Sequence, residues 1–168
     1  MGELFEGAPR FLERLETAGP FADDGARFAA ARTIAHSMSE EEQVELVDAH
    51  PRLGAPPATV SAMSFREQGY DRDTGRSGTP ATPAAPATPG TQQAAVATEL
   101  ERLNDAYEAR FGFRYCVFVA GRPREALLPG MAAALQQDRD AELHRALDAV
   151  IDIAMDRHAK LAAESDPT

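Results

Sequence analysis

Apolar residues recur along most of this chain at the three- and four-residue intervals that are typical of amphipathic α-helices. One further helix is predicted to start at Ser39, which has the spacing of a capping box to Glu42, and to end near Ala49, ahead of a proline. The run "YCVFVAG" is the only β-like stretch, and it is too short and isolated to define a sheet. The pattern therefore predicts an all-α, compact helical bundle, with the other helices at about residues 3–17, 21–36, 96–111, 123–136 and 139–163.

Residues 71–92 depart from this pattern. Prolines recur there at every third position from Pro80 to Pro89, separated by Ala and Thr. Because the segment has almost no large apolar side chain, burial cannot offset the entropic cost of ordering it. We therefore predict a low-complexity, Pro/Thr/Ala-rich flexible loop of polyproline-II character inside a single domain that spans residues 1–168.

The net charge of −10, from 27 acidic and 17 basic residues, argues against nucleic acid or an anionic membrane as the main partner. An anionic small molecule stays compatible with this charge, because one arginine in a pocket can outweigh a distant field. The single cysteine, Cys116, cannot form an internal disulfide, no apolar run is long enough to span a bilayer, and the first twenty residues lack a signal-peptide pattern. A cytoplasmic location is therefore expected.

His50 is the first candidate for chemistry, because it lies where the helical pattern breaks in "AHPRLG". A helix C-terminus favours the imidazolium, whereas burial favours the neutral ring. Together the two effects predict titration near neutral pH, which general acid–base catalysis needs. The alternative is a histidine that only interacts with the last carbonyl groups of its helix.

The stretch "SFREQ" supplies a second candidate group. Glu67 is placed to orient His50 or to exchange a proton with it, and Gln68 offers an amide to a polar heterocycle. Equally, Ser64 and Glu67 have the spacing of a capping box, in which Glu67 only reaches back to the Ser64 amide.

Arg157 lies about 40° from the centre of the apolar stripe on the last helix, at 100° per residue. A guanidinium aimed at the core is costly unless it is paired, so this position indicates a buried anion-binding group. The alternative is snorkelling, with the charged head in water. The stripe itself consists of Leu143, Leu147, Val150, Ala154 and Leu161.

No metal site is predicted, because the four histidines lack a ligand spacing and there is no cysteine pair. Cys116 is expected to be a small core residue rather than a nucleophile.

Several of these motifs follow one another in an order that resembles one known family. They are "AHPRLG", Ser64-x-x-Glu67-Gln68-Gly69, "LNDAYEARFGFRYCVFVAG" and the late-helix Arg157. From about "FLERL" to His158, outside the proline-rich segment, the chain resembles the 2-oxo-4-hydroxy-4-carboxy-5-ureidoimidazoline (OHCU) decarboxylases of urate breakdown. The resemblance implies a lyase of purine catabolism, usually a homodimer, that uses no cofactor and converts OHCU to (S)-allantoin and carbon dioxide.

By position, the resemblance implies that His50 and Glu67 are catalytic. It also implies contacts to the small-molecule substrate, partly through backbone groups, from Pro51, Ser64, Gln68, Cys116, Val117, Phe118, Val119, Ala120 and Arg157.

The chain departs from the commoner His-Pro-Asp-Leu-Ala motif, since it reads Arg52, Leu53 and Gly54 after the His-Pro pair. Two alternatives therefore stay open. One is a diverged decarboxylase or lyase for a related ureido or imidazoline acid. The other is a non-catalytic helical binding module in which the proline-rich segment recruits a partner.

Overall fold

The computed structural model describes residues 2–68 and 89–165, apart from the side chains of Pro57, Glu67, Pro89 and Ser165. Within those ranges the protein is helical and has no β-strand, which confirms the predicted all-α class. Two short 3-10 helices, Pro57–Thr59 and Arg124–Ala126, lie in connecting segments. The α-helices are α1 Pro9–Ala18, α2 Asp24–Ser37, α3 Glu40–Asp48, α4 Ala62–Glu67, α5 Pro89–Phe111, α6 Leu128–Ala134 and α7 Arg139–Ser165.

The amino-terminal segment is a turn, so the helix predicted over residues 3–17 is wrong at its start. α1 begins at Pro9, because the missing N–H of proline leaves no hydrogen bond unmade at the first helical position. Ahead of it, Glu6 and Gly7 have positive φ angles of 52° and 82°, which are incompatible with a continuing helix. The turn faces α7, and Arg157 of that helix donates hydrogen bonds to two of its carbonyl groups.

Side-chain caps fix where α2 and α3 begin. The Asp23 carboxylate accepts a hydrogen bond from the backbone amide three residues later at 2.7 Å, so α2 starts three residues after the predicted position. The capping box predicted for α3 is confirmed, since Ser39 and Glu42 make both reciprocal contacts. α3 ends at Asp48, close to the end predicted from the His50-Pro51 pair that follows it.

Two later predictions need correction. α5 begins at Pro89, so the last four residues of the predicted 71–92 loop are helical, while residues 71–88 lie outside the described ranges. The helix predicted over 123–136 is divided into a 3-10 helix and α6. Pro129 causes this break, because it has no N–H with which to continue the hydrogen bonding of the preceding turn.

α7 is the main packing element of the bundle. It packs against α2 and α3, α1 covers both of those helices, and α5 packs against α6. The predicted apolar stripe of α7 is buried as far as Ala154, but Leu161 is 38% exposed, so the buried face ends earlier than predicted. Arg157 lies on that face at 1% exposure, which places a charge inside the core. Among the described residues, no helix is long and apolar enough to cross a membrane.

Candidate active site

A cavity of about 90 Å³ lies between the end of α3, α4, the segment after α5 and the last turns of α7. The fold thus brings four stretches that are remote in sequence around one space. The predicted residues that line it are His50, Pro51, Ser64, Gln68, the segment 116–120 and Arg157.

His50 lies just after α3 and is 4% exposed. Neither ring nitrogen has a well-formed hydrogen bond among the described residues, although the Leu46 backbone of α3 acts on the ring and raises its pKa. The alternative of a histidine that only interacts with the last carbonyl groups of its helix therefore stays a prediction. Burial, and next the positive charge of Arg157, lower the pKa of His50 from 6.5 to about 4. The expected titration near neutral pH is therefore wrong, because desolvation outweighs the helix terminus. At pH 7 the ring is neutral and has two nitrogens with which to bind a ligand.

Arg157 is 1% exposed and does not snorkel to water. Its Nη1 donates to the carbonyl groups of Glu3 and Leu4, both at 3.1 Å. Its Nη2 donates to the Glu6 carboxylate at 2.8 Å and to the Ser64 hydroxyl at 3.1 Å. A buried guanidinium is tolerated when it is both paired and hydrogen-bonded, and Arg157 meets both conditions.

Glu6 belongs to this group of side chains although the sequence pattern did not reveal it. Its Oε1 accepts hydrogen bonds from the hydroxyl groups of Ser61 at 2.8 Å and Ser64 at 2.7 Å, and from Arg157. Burial raises the pKa of this carboxyl group, but the two serines and Arg157 outweigh burial and hold the pKa below its ordinary value of 4.5. Glu6 is therefore ionised at neutral pH. The sequence "EG" at positions 6 and 7 signals a turn, but it carries no information about what the carboxylate contacts.

Ser64 lies inside α4, so the capping box predicted from Ser64 to Glu67 is wrong. Ser61 is the N-cap, and its hydroxyl accepts a hydrogen bond from the Ser64 amide at 3.1 Å. The Ser64 side chain is therefore not used for capping. At 2% residue exposure it lies between Glu6, to which it donates, and Arg157, from which it accepts.

The Gln68 carboxamide holds the turn that follows His50. Its Oε1 accepts from the Gly54 amide at 2.7 Å, and its Nε2 donates to the Arg52 carbonyl at 3.2 Å. Gln68 thus lines the cavity while it fixes the neighbouring loop. Glu67 ends α4, but its side chain lies outside the described residues, and its predicted contact with His50 stays a prediction.

Arg52 and Gly54, the two residues that differ from the commoner motif, shape the turn after His50 and do not line the cavity. Arg52 does not line the cavity, and its guanidinium pairs with Glu108 at 2.7 Å and Asp105 at 2.5 Å, both on α5. Gly54 has a φ angle of 80°, and a Cβ atom there would lie 3.1 Å from the Leu100 side chain. The glycine is therefore required by both backbone conformation and space.

The segment 116–120 passes the cavity as irregular backbone. Three of its carbonyl groups accept hydrogen bonds from the side chains of Arg122 and Arg145, at 2.6 to 3.0 Å. Within the described part of the chain, the backbone amides of 117–120 donate to no other residue. Ala120 reverses the chain with a φ angle of 51°. Any contact from this backbone to a ligand therefore falls mainly to its amide donors.

Seven other described residues that line the cavity were not predicted. Ile153 and Lys160 share the helical face of Arg157, being four positions before and three after it, and this spacing was a usable signal. Lys160 pairs with Asp156 at 2.5 Å, so the two add no net charge to the cavity. The residues missed are Leu53, Arg66, Tyr115, Gly121, Ile153, Asp156 and Lys160. Residues 2–68 and 89–165 contain no group of three or more His, Cys, Asp or Glu side chains that could hold a metal ion.

Comparison with known proteins gives one consistent result. Residues 1–159 match the model of the OHCU decarboxylase family. A 2-oxo-4-hydroxy-4-carboxy-5-ureidoimidazoline decarboxylase from Haloferax volcanii is 26% identical over 153 residues, which cover 91% of this chain and 81% of that protein. The uric acid degradation bifunctional protein PucL of Bacillus subtilis is 27% identical over 168 residues, which is 100% of this chain but 31% of that protein.

Solved structures share the fold. An OHCU decarboxylase crystallised in the presence of (S)-allantoin superposes with a TM-score of 0.65 at 22% identity, covering 95% of this chain and 94% of the other. An (S)-allantoin synthase superposes with a TM-score of 0.61 at 20% identity, covering 93% of this chain and 46% of the other.

Proposed function

Because the chain belongs to the OHCU decarboxylase family, we propose that it converts OHCU to (S)-allantoin and carbon dioxide in urate degradation, with the cavity beside His50 and Arg157 as its active site. The observation that carries this proposal is the convergence of His50, Ser64, Gln68, the segment 116–120 and Arg157 on one cavity.

In this reaction the protein needs only to place charges and to transfer protons. In OHCU the scissile bond joins the carboxylate to C4, which also bears the hydroxyl group, and the adjacent C5 is doubly bonded to nitrogen. When carbon dioxide leaves, the bonding pair forms a C4–C5 double bond, and the former C=N pair moves to the nitrogen, which takes up a proton. C4 then becomes a carbonyl as its hydroxyl loses a proton, and a proton added to one face of C5 gives (S)-allantoin. The ring itself accepts the electrons, so orientation and proton transfer are the tasks left to side chains.

His50 is suited to accept the hydroxyl proton, because its ring is neutral at pH 7 and lines the cavity. The positive charge of Arg157 at the cavity wall would attract the substrate carboxylate. A carboxylate that pairs with Arg157 offsets the positive charge that lowers the pKa of His50, so substrate binding would itself make His50 more basic. Glu67 would orient the ring, and Gln68 with the amides of 117–120 would hold the ureido and ring oxygen atoms.

A chiral assay tests this proposal. Freshly generated OHCU is mixed with the wild-type protein, with His50→Ala, and with His144→Ala, an exposed histidine that serves as the matched control. We expect (S)-allantoin in excess from the wild type and the control, and a rate at least about 100-fold lower from His50→Ala, since a general acid or base contributes about 10² to 10⁴. An unchanged rate and enantiomeric excess in His50→Ala would remove His50 from the chemistry.

A different substrate gains no support from Arg52. The unusual residue of the motif pairs with α5 and does not line the cavity, so it gives no reason to infer another acid.

Assembly and location complete the proposal. A homodimer is supported by the family, and light scattering should give twice the chain mass of 18.1 kDa.

The extent of the family match supports a single domain over residues 1–168. The lone, buried Cys116 supports a cytoplasmic location. Cell fractionation with an enzymatic assay for OHCU turnover checks the location.

A further inference from the structure

Glu6 is an ionised side chain that contacts two residues of the cavity wall without lining the cavity itself. A single oxygen, Oε1, accepts hydrogen bonds from Ser61, Ser64 and Arg157 at 2.7 to 2.8 Å. The ion pair with Arg157 joins side chains that are 1% and 13% exposed. Charge-assisted hydrogen bonds in such a dry setting are stronger than neutral ones, so this oxygen strongly constrains its three donors.

The hydrogen-bond directions at Ser64 follow from Glu6. A serine hydroxyl has one proton and two lone pairs, and Glu6 as a carboxylate can only accept. The Ser64 proton is therefore donated to Glu6, and one lone pair of the Ser64 oxygen accepts a hydrogen bond from Arg157. What Ser64 can offer to the cavity is its second lone pair. It can accept a hydrogen bond from an N–H group of a ligand but cannot donate one.

The backbone at Glu6 agrees with a functional constraint. Glu6 has a φ angle of 52°, in the left-handed region, which is strained for a residue other than glycine. Its side-chain contacts hold it there, because they tie the amino-terminal turn to α4 and α7 at once. The position thus combines backbone strain with a buried charge at the edge of the cavity.

We propose that Glu6 is a positioning residue of the active site, which fixes the Arg157 guanidinium at the cavity wall, where its charge attracts the substrate carboxylate, and makes Ser64 an acceptor for a substrate N–H group. This inference rests on the proposed function. Both substrate contacts depend on Glu6, because its Oε1 atom accepts hydrogen bonds from the two side chains, Ser64 and Arg157, that would make them. The role is therefore to align binding groups rather than to transfer a proton.

The steady-state kinetics of Glu6→Gln with OHCU test this role. The variant keeps the size of the side chain but loses the charge, and Glu13→Gln, an exposed residue of α1, is the matched control. We expect KM to rise about 10- to 100-fold in Glu6→Gln while kcat stays within about threefold, because the lost hydrogen bonds involve charged groups that act on binding. Glu6→Asp is the second variant. It keeps the charge but is one methylene too short for all three donors, so its KM should rise as well.

A double-mutant cycle with Ser64→Ala separates positioning from simple support of the fold. If Glu6 acts through Ser64 and Arg157, the loss of kcat/KM in Glu6→Gln/Ser64→Ala is smaller than the product of the two single losses. Multiplicative losses, or a KM in both Glu6 variants within about twofold of the wild type, overturn the inference while the decarboxylase proposal stands. A wild-type protein and Glu13→Gln control that yield no excess of (S)-allantoin overturn the proposed function itself, and this inference with it.

Discussion

The buried neutral His50 makes the stability of this protein depend on pH in a direction that can be measured. The unfolded chain binds a proton at this histidine below pH 6.5, whereas the folded protein binds it only near pH 4. Between those values the unfolded state holds more protons, so acidification favours unfolding. The contribution of His50 is complete above pH 6.5 and is lost as the pH falls toward 4.

The size of the effect follows from the same two values. A change of one in a pKa is worth about 1.4 kcal/mol, so the full loss is about 3 kcal/mol, of which about 2 kcal/mol is reached at pH 5. This is a large part of a total stability of about 5 to 15 kcal/mol. Since His50 is 4% exposed, solvent screens little of it.

Urea unfolding at pH 7.5, 6 and 5 provides the assay. The wild type is compared with His50→Gln, which cannot titrate, and with His144→Gln, in which the histidine removed is exposed. We expect the stability difference between wild type and His50→Gln to shift by about 2 kcal/mol against the wild type from pH 7.5 to 5. His144→Gln should follow the wild type. If the free energy of unfolding changed with pH in the same way for wild type and His50→Gln, the inference of a desolvated, neutral imidazole would be refuted.

Three further predictions follow from the contacts. Arg157→Met leaves the Glu6 carboxylate buried without its cation, so chemical denaturation should show a loss of about 3 to 5 kcal/mol, whereas Arg102→Met on the surface should leave the stability unchanged. Gly54→Ala forces a side chain into a left-handed conformation, and thermal unfolding should report a loss of about 1 to 2 kcal/mol; an unchanged melting temperature would contradict the requirement for glycine. Arg52→Ala should leave kcat/KM for OHCU within about twofold, because its guanidinium faces α5 rather than the cavity, and a tenfold loss would place it in the site.

Local features of the fold were predictable because their causes are local. The capping box of Ser39 and Glu42 and the end of α3 depend on residues a few positions apart, and both were read correctly. α1 and α6 were misjudged at their starts, since periodicity alone does not locate the turn at Glu6 or the break at Pro129. Apolar periodicity indicates that a helix exists more reliably than it locates the ends.

The family was also within reach of the sequence. The ordered motifs resembled the OHCU decarboxylases, and the match over residues 1–159 confirms that resemblance. The helical position of Arg157 showed that its side chain faces inward, and its 1% exposure bears this out. The residues expected at the site line one cavity, although Glu67 lies beyond what the structure describes at the level of its side chain.

The sequence by itself determined that helices form, the capping box of α3 and the identity of the chemical groups, because these depend on neighbours along the chain. The tertiary structure decided the states of those groups. It set the neutral ring of His50, the acceptor role of Ser64, and the pairing of Arg157 with Glu6. Desolvation and hydrogen-bond direction arise from contacts between remote segments, and positions 6, 64 and 157 meet only when the amino-terminal turn closes over α4 and α7.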